Sequence, residues 1–133
     1  TVGMIMRDLA LAAVKGDPFT IDAKLYAPNE VVYAKDVASA INLACKAINP
    51  KQRTYNAGSG VVTGAEDLAR IVKELSPNID VKVTGSSAEG SSNSAPLDLS
   101  VSKAELGYAP KFPLKEALRD YMEELWTETK GAL

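Results

Sequence analysis

Apolar residues at Val2, Ile5, Met6, Leu9 and Ala13 recur at three- and four-residue steps, predicting an amphipathic helix over 2–15 that stops at Gly16 ahead of Asp17-Pro18. Phe19-Thr20-Ile21 predicts a short strand over 19–21, and the Ala27-Pro28-Asn29 turn leads into a second strand over 31–34. A second helical stripe, Val37, Ala40, Ile41, Ala44 and Ile48, starts at Asp36, whose carboxylate is placed to cap free backbone amides; Asn49-Pro50 closes this helix, 36–48. Thr54 to Ala57 predicts a third strand and Gly58-Ser59-Gly60 a turn. Thr63-Gly64-Ala65-Glu66 matches a capping box ahead of Leu68, Ile71, Val72 and Leu75, which predicts a helix over 63–76.

Alternation over 80–84 predicts a fourth strand. Ser100 to Leu106 predicts a short helix, 101–106, ending at Gly107, and Pro113 opens a last one, 113–128, with Leu114, Leu118, Tyr121 and Leu125 along one face. Between them GSSAEGSSNS is low in complexity, predicting a mobile loop over 85–95. Strands and helices alternate, so the expected class is α/β, with residues 1–133 forming one domain.

Composition removes several functions. At 133 residues and 46% hydrophobic, the chain is large enough to bury a core. Its 15 basic and 17 acidic residues leave no electrostatic footprint for nucleic acid or an anionic membrane. No apolar run approaches the roughly 20 residues of a membrane span, and no leader pattern opens the chain. A cytoplasmic protein is the expectation. Cys45 stands alone, so one chain can build neither a disulfide framework nor a thiolate metal cage. Histidine is absent, which removes the commonest general base, most zinc sites and every Ser-His or Cys-His pair.

The order of a few short blocks carries a resemblance. Lys15-Gly16-Asp17-Pro18 before a strand, Val31-Val32-Tyr33-Ala34-Lys35-Asp36-Val37-Ala38, Tyr55-Asn56-Ala57-Gly58, and Asp98-Leu99-Ser100 followed by Leu106-Gly107-Tyr108-Ala109-Pro110 stand in sequence. Together, over about residues 2–126, they resemble the C-terminal half of the extended short-chain dehydrogenase/reductases, the family of NAD-dependent epimerases and dehydratases. The resemblance implies a substrate-binding lobe. It also implies an N-terminal Rossmann lobe that holds NAD or NADP and supplies a Tyr-x-x-x-Lys pair. Four residues after Tyr26, Tyr33, Tyr55, Tyr108 and Tyr121 stand Glu30, Val37, Ser59, Phe112 and Leu125, so no tyrosine here has its lysine. Gly58-x-Gly60-x-x-x-Gly64 follows a strand and precedes a helix, the setting of a phosphate cradle, but its spacing departs from the dinucleotide pattern; a turn followed by a cap is the simpler reading. The expectation is therefore a lobe without its catalytic partner, a fragment or one half of a two-chain assembly, with no cofactor bound to this chain alone.

Site residues follow from the resemblance position by position. An arginine that pairs with a substrate pyrophosphate commonly lies about seven residues before the helix-capping aspartate, and Asn29 stands there. Asparagine donates a hydrogen bond but neither neutralises charge nor forks onto a phosphate. A substrate smaller or less charged than a nucleotide sugar is expected, with Lys24 or Lys35 as alternatives for compensating charge. Thr20 and Asp22 match the edge that holds the substrate's base, and Met6 a cleft-facing position on the preceding helix, although Met6 serves equally as core. Asp98 and Ser100 read as loop and cap, and Cys45, a turn from Ile41 and Ile48, as core. Asp120, Glu124 and Glu128 recur every four residues as a cation ladder or, more commonly, a solvated face. Tyr121 and Trp126 suit either the interior or another subunit.

Three functions remain open at this point. One is the substrate lobe of an NAD(P)-dependent sugar or nucleotide-sugar epimerase, dehydratase or reductase. The second is a non-catalytic small-molecule-binding module that has kept the lobe. The third is a protein-interaction module. Isolated from a partner lobe, the first helix and the strand at Val31 should leave apolar surface uncovered, which predicts self-association.

Overall fold

A computed structural model describes residues 2–86 and 95–131, so most of the 85–95 loop expectation lies outside the described residues. The elements are α1 (Val2–Lys15), β1 (Phe19–Asp22), β2 (Asn29–Glu30), α2 (Ala34–Lys46), β3 (Val62–Thr63), α3 (Ala65–Leu75), β4 (Val81–Thr84), a π-helical turn (Ser102–Leu106) and α4 (Leu114–Gly131). The class is α/β, with little sheet: β1 pairs with β4 and β2 with β3. The chain divides into two compact units. Unit 1 draws its described residues from 2–29, 63–86 and 115–131, and unit 2 from 30–62 and 95–114.

In unit 1, β1 and β4 run parallel, Phe19 opposite Val81 and Asp22 opposite Thr84. Parallel neighbours need a crossover, and here the connecting chain includes α3. Period-two alternation places Ile21 and Val81 in the core, where Leu9, Leu68, Val72 and Leu118 are also buried. The stripe on α1 turns inward as well: Met6, Leu9 and Ala13 are buried, while Met4 stands exposed and Ile5, Leu11 and Val14 are half-buried.

Unit 2 packs Ala40, Leu106 and Tyr108 together, with Leu43, Ala47, Tyr55, Ala57 and Leu99 against them. Two predicted strands, 31–34 and 54–57, do not form, and β2 occupies 29–30 instead. These β-rich segments have no ladder neighbour among the described residues, and strand propensity without a neighbour does not make a sheet. The helix predicted over 36–48 begins two residues early, with Tyr33 as its N-cap.

Asp36 is therefore not a cap. It lies in the first turn of α2, 1% exposed, and its two oxygens accept the amides of Lys111 (2.8 Å) and Phe112 (3.1 Å). Drawing that carboxylate inward makes Asp36, Ala40, Leu43 and Ala47 the inner face, one residue out of phase with the predicted stripe. One residue is a rotation of about 100°. Ile41 and Ile48 consequently stand 59% and 90% exposed, and Cys45 is exposed rather than core. Thr63 likewise does not close a capping box: Gly64 is the N-cap of α3, without a side-chain cap bond, and Thr63 is buried in β3. The stop at Gly107 holds, its φ of 69° being the left-handed value that glycine adopts without penalty.

Candidate functional site

The edge of the β1–β4 pair carries two of the predicted substrate residues. Thr20 and Asp22 are two apart on β1 and so share a face, exposed at Thr20 and half-buried at Asp22. Asp22 is held in place: its Oδ1 accepts the Lys24 amide at 2.9 Å, and its carbonyl accepts the amides of Leu25 and Tyr26 in the turn that follows. Gly85 closes on the same spot, for a Cβ there would lie 3.2 Å from Asp22 Oδ1 and 3.3 Å from Lys24 Cγ. Asn29 lies in the second ladder, half-buried, and Met6 is buried on α1. Lys24 and Lys35 are both exposed. Next to this edge, Tyr26 is fully buried with an unpartnered hydroxyl, and burial pushes its pKa up to about 12.

Unit 2 settles the glycine-rich loop on geometric grounds. The Gly60 amide, the group a phosphate cradle would offer, donates to Glu30 Oε1 at 2.7 Å, and the Leu97 amide donates to Glu30 Oε2 at 2.6 Å. A Cβ on Gly58 would run into the same carboxylate, and the Tyr108 hydroxyl donates to the Gly58 carbonyl at 2.8 Å. A protein carboxylate thus fills the anion position that the loop would otherwise present. The residues of this turn do not fit a dinucleotide phosphate.

The turn after α2 is tied in a similar way. Glu105 Oε2 accepts the Tyr55 hydroxyl at 2.6 Å and the Lys51 amide at 3.1 Å. The Tyr55 bond is the main reason the Glu105 carboxyl lies below its ordinary value, and the same bond raises the Tyr55 phenol. Asp98 accepts the Ser100 amide at 2.9 Å, the loop-and-cap role expected of it, and its carboxyl is lowered for that reason. Asn56 and Ser102 complete the knot: Asn56 donates to the Asp98 carbonyl, and Ser102 donates to the Asn56 carbonyl at 2.6 Å. Among the described residues no group of three His, Cys, Asp or Glu side chains is placed to hold a metal ion; along the ladder Glu124 and Glu128 are exposed and Asp120 is half-buried.

The anchoring bonds of Glu30 and Glu105 are not legible in the sequence. Each bonds to backbone tens of residues away, and no local spacing encodes such a partner. The one available signal was an acidic residue directly before the apolar run at Val31.

The fold is that of the C-terminal portion of the extended short-chain dehydrogenase/reductases, and the resemblance read from the sequence holds at that level. No family model and no curated protein matches the chain. Among solved structures, it is similar to a UDP-N-acetylglucosamine 4-epimerase from Bacillus cereus: 25% identity, TM-score 0.74, covering 92% of this chain and 42% of that one. The Bordetella bronchiseptica enzyme WbmF in complex with NADH gives 22% identity and a TM-score of 0.74 over 96% of this chain and 37% of the other. An L-threonine dehydrogenase from Cupriavidus necator gives 24% and 0.67 over 89% and 44%. The chain therefore spans about 40% of the length of the first structures it matches.

Proposed function

We propose that this chain is the substrate-binding portion of an NAD(P)-dependent epimerase, dehydratase or reductase acting on a sugar, a nucleotide sugar or a smaller polar substrate. The observation that carries the proposal is the asymmetry of the match: nearly all of this chain superposes on well under half of each neighbour. Within the sequence, no tyrosine has a lysine four residues on, and the glycine turn is closed by Glu30. Hydride transfer then takes its acid/base and its dinucleotide from a Rossmann lobe, of the same or another chain. What this chain contributes is one wall of the substrate cleft, with Thr20 and Asp22 on the strand edge, Asn29 on the second ladder and Met6 supporting from α1.

Asn29 narrows the substrate class. Without a guanidinium at this position a diphosphate lacks a forked, charge-neutralising partner, which favours a substrate with less charge than a nucleotide sugar. A neighbour named as an L-threonine dehydrogenase supports this, because the same fold then serves a small substrate too.

Calorimetric titration of this chain tests both parts. Neither NAD nor NADP should bind at about millimolar concentration, and UDP should bind weakly, with Asn29→Arg tightening UDP about tenfold. Micromolar NAD affinity overturns the lobe reading. Tight UDP binding that Asn29→Arg leaves unchanged overturns the substrate argument alone.

A further inference from the structure

Two adjacent residues at the end of β1 stand in surroundings that suit neither. Tyr26 is 0% exposed, and its hydroxyl has no hydrogen-bond partner among the described residues, a loss that buried polar groups rarely bear. Leu25, directly before it, is 76% exposed. An exposed leucine alone is ordinary. Beside a phenol sealed in without a partner, it is the side chain whose chemistry fits the space the phenol fills.

The turn that carries both is held from one point. The amides of Lys24, Leu25 and Tyr26 all donate to Asp22, the first to its Oδ1 and the other two to its carbonyl. The strand before it is fixed, with Asp22 opposite Thr84 and the Ala23 amide donating to the Thr84 carbonyl. The bond from Tyr26 to Asp22 closes a single helical turn, in which successive side chains point about 100° apart. Rotation by one residue about the Asp22 pivot therefore brings Leu25 inward and carries Tyr26 out.

We propose that the turn over residues 23–27 is a two-state element, in which the state with Tyr26 buried exchanges with a minor one that buries Leu25 and places the Tyr26 hydroxyl in water. The exchange satisfies the hydroxyl and covers the leucine. Leucine is smaller than the tyrosine ring, however, and the space it leaves keeps the second state minor, at roughly 0.1–10% of the population. Because the turn joins Asp22 to Asn29, the released hydroxyl adds a hydrogen-bond donor to the segment between two predicted substrate residues. Its use by a substrate rests on the substrate-lobe reading, whereas the switch itself does not.

NMR relaxation dispersion on the chain without ligand tests the switch, with exchange expected at the amides of 23–27 and at Gly85, against which the Lys24 stem lies. Tyr26→Phe removes the unsatisfied hydroxyl, so it should lower the minor population about tenfold and raise the thermal midpoint. Leu25→Ser removes the group that fills the vacated space and should lower that population by about the same factor. Leu25→Phe supplies a ring of the right shape without a hydroxyl and should raise it about tenfold or more. Both Leu25 variants change an exposed side chain, so the fold survives them. Flat dispersion profiles over this turn in the parent and in Leu25→Phe overturn the proposal. A Tyr26→Phe variant less stable than the parent also overturns it, by showing the hydroxyl to be bonded. So do three variants that shift the exchange in one direction, the mark of a loosened loop.

Discussion

Replacing Glu30 with glutamine is the sharpest test of how unit 2 holds its glycine turn. The carboxylate accepts two backbone amides, Gly60 at 2.7 Å and Leu97 at 2.6 Å, joining segments that lie far apart in the chain. Hydrogen bonds to an ionised acceptor contribute about 1.5–3 kcal/mol each, and an amide left facing another donor loses that bond outright. Glutamine keeps one acceptor oxygen and turns an NH₂ toward the second amide. The expected loss is about 2–4 kcal/mol, a large part of the ~5–15 kcal/mol of a typical domain. Amide exchange followed by NMR reads it locally: the Gly60 and Leu97 amides should exchange about 30- to 1,000-fold faster, because 1.4 kcal/mol is a factor of about ten. Urea unfolding followed by circular dichroism should show a lower midpoint. Unchanged exchange at both amides with an unchanged midpoint would refute the clamp. Glu30→Ala gives a second reading, since it frees both amides at once; if an anion can then enter, inorganic phosphate should slow exchange at Gly60 in that variant and not in the parent.

Asp36→Asn should cost about 2–4 kcal/mol, measured as a drop in the thermal midpoint, because one of the two amides at Lys111 and Phe112 would lose its acceptor on the buried Asp36 side chain. A change under about 0.5 kcal/mol would show those bonds to be incidental. Tyr55 and Glu105 predict a pH dependence. The Glu105 carboxyl is lowered in the folded chain, so the unfolded state binds its proton first as pH falls. The contribution is in place above the ordinary carboxyl value and is lost as pH drops through the folded one. Tyr55→Phe should flatten that part of the acid limb of stability, below about pH 5, and an acid limb identical to the parent's would refute the pairing. Gly107→Ala should destabilise by about 1 kcal/mol through its left-handed backbone, with the denaturant midpoint as readout.

Legibility in the sequence followed the range of the interactions. The α1 stripe, the β1 and β4 alternation and the stop at Gly107 are local patterns, and each formed where its periodicity placed it. The face of α2 was misread because Asp36, which looks like a cap from its neighbours alone, bonds to amides 75 and 76 residues away and turns the helix inward on that side. The segments 31–34 and 54–57 have strand composition, yet a strand also requires a neighbour, and composition does not carry one. The substrate residues were reached only through a family resemblance, because nothing in the local pattern separates Thr20 from any other strand position.

The threading of the two units has a consequence for the order in which the chain can assemble. Unit 2 is written entirely between the first and last segments of unit 1, so its described residues end at 114, the first residue of α4. During synthesis, unit 2 has its whole sequence available while unit 1 still lacks its last helix. The β1–β4 pair, meanwhile, must close a loop of roughly sixty residues, an entropy cost that grows only with the logarithm of length but is met in full if that loop is unstructured. The segment 30–62 of unit 2 lies inside that loop, and ordering it early shortens the effective loop and so aids the pairing of β1 with β4. Destabilising Glu30 should then slow the closure of a strand pair to which it contributes no side chain.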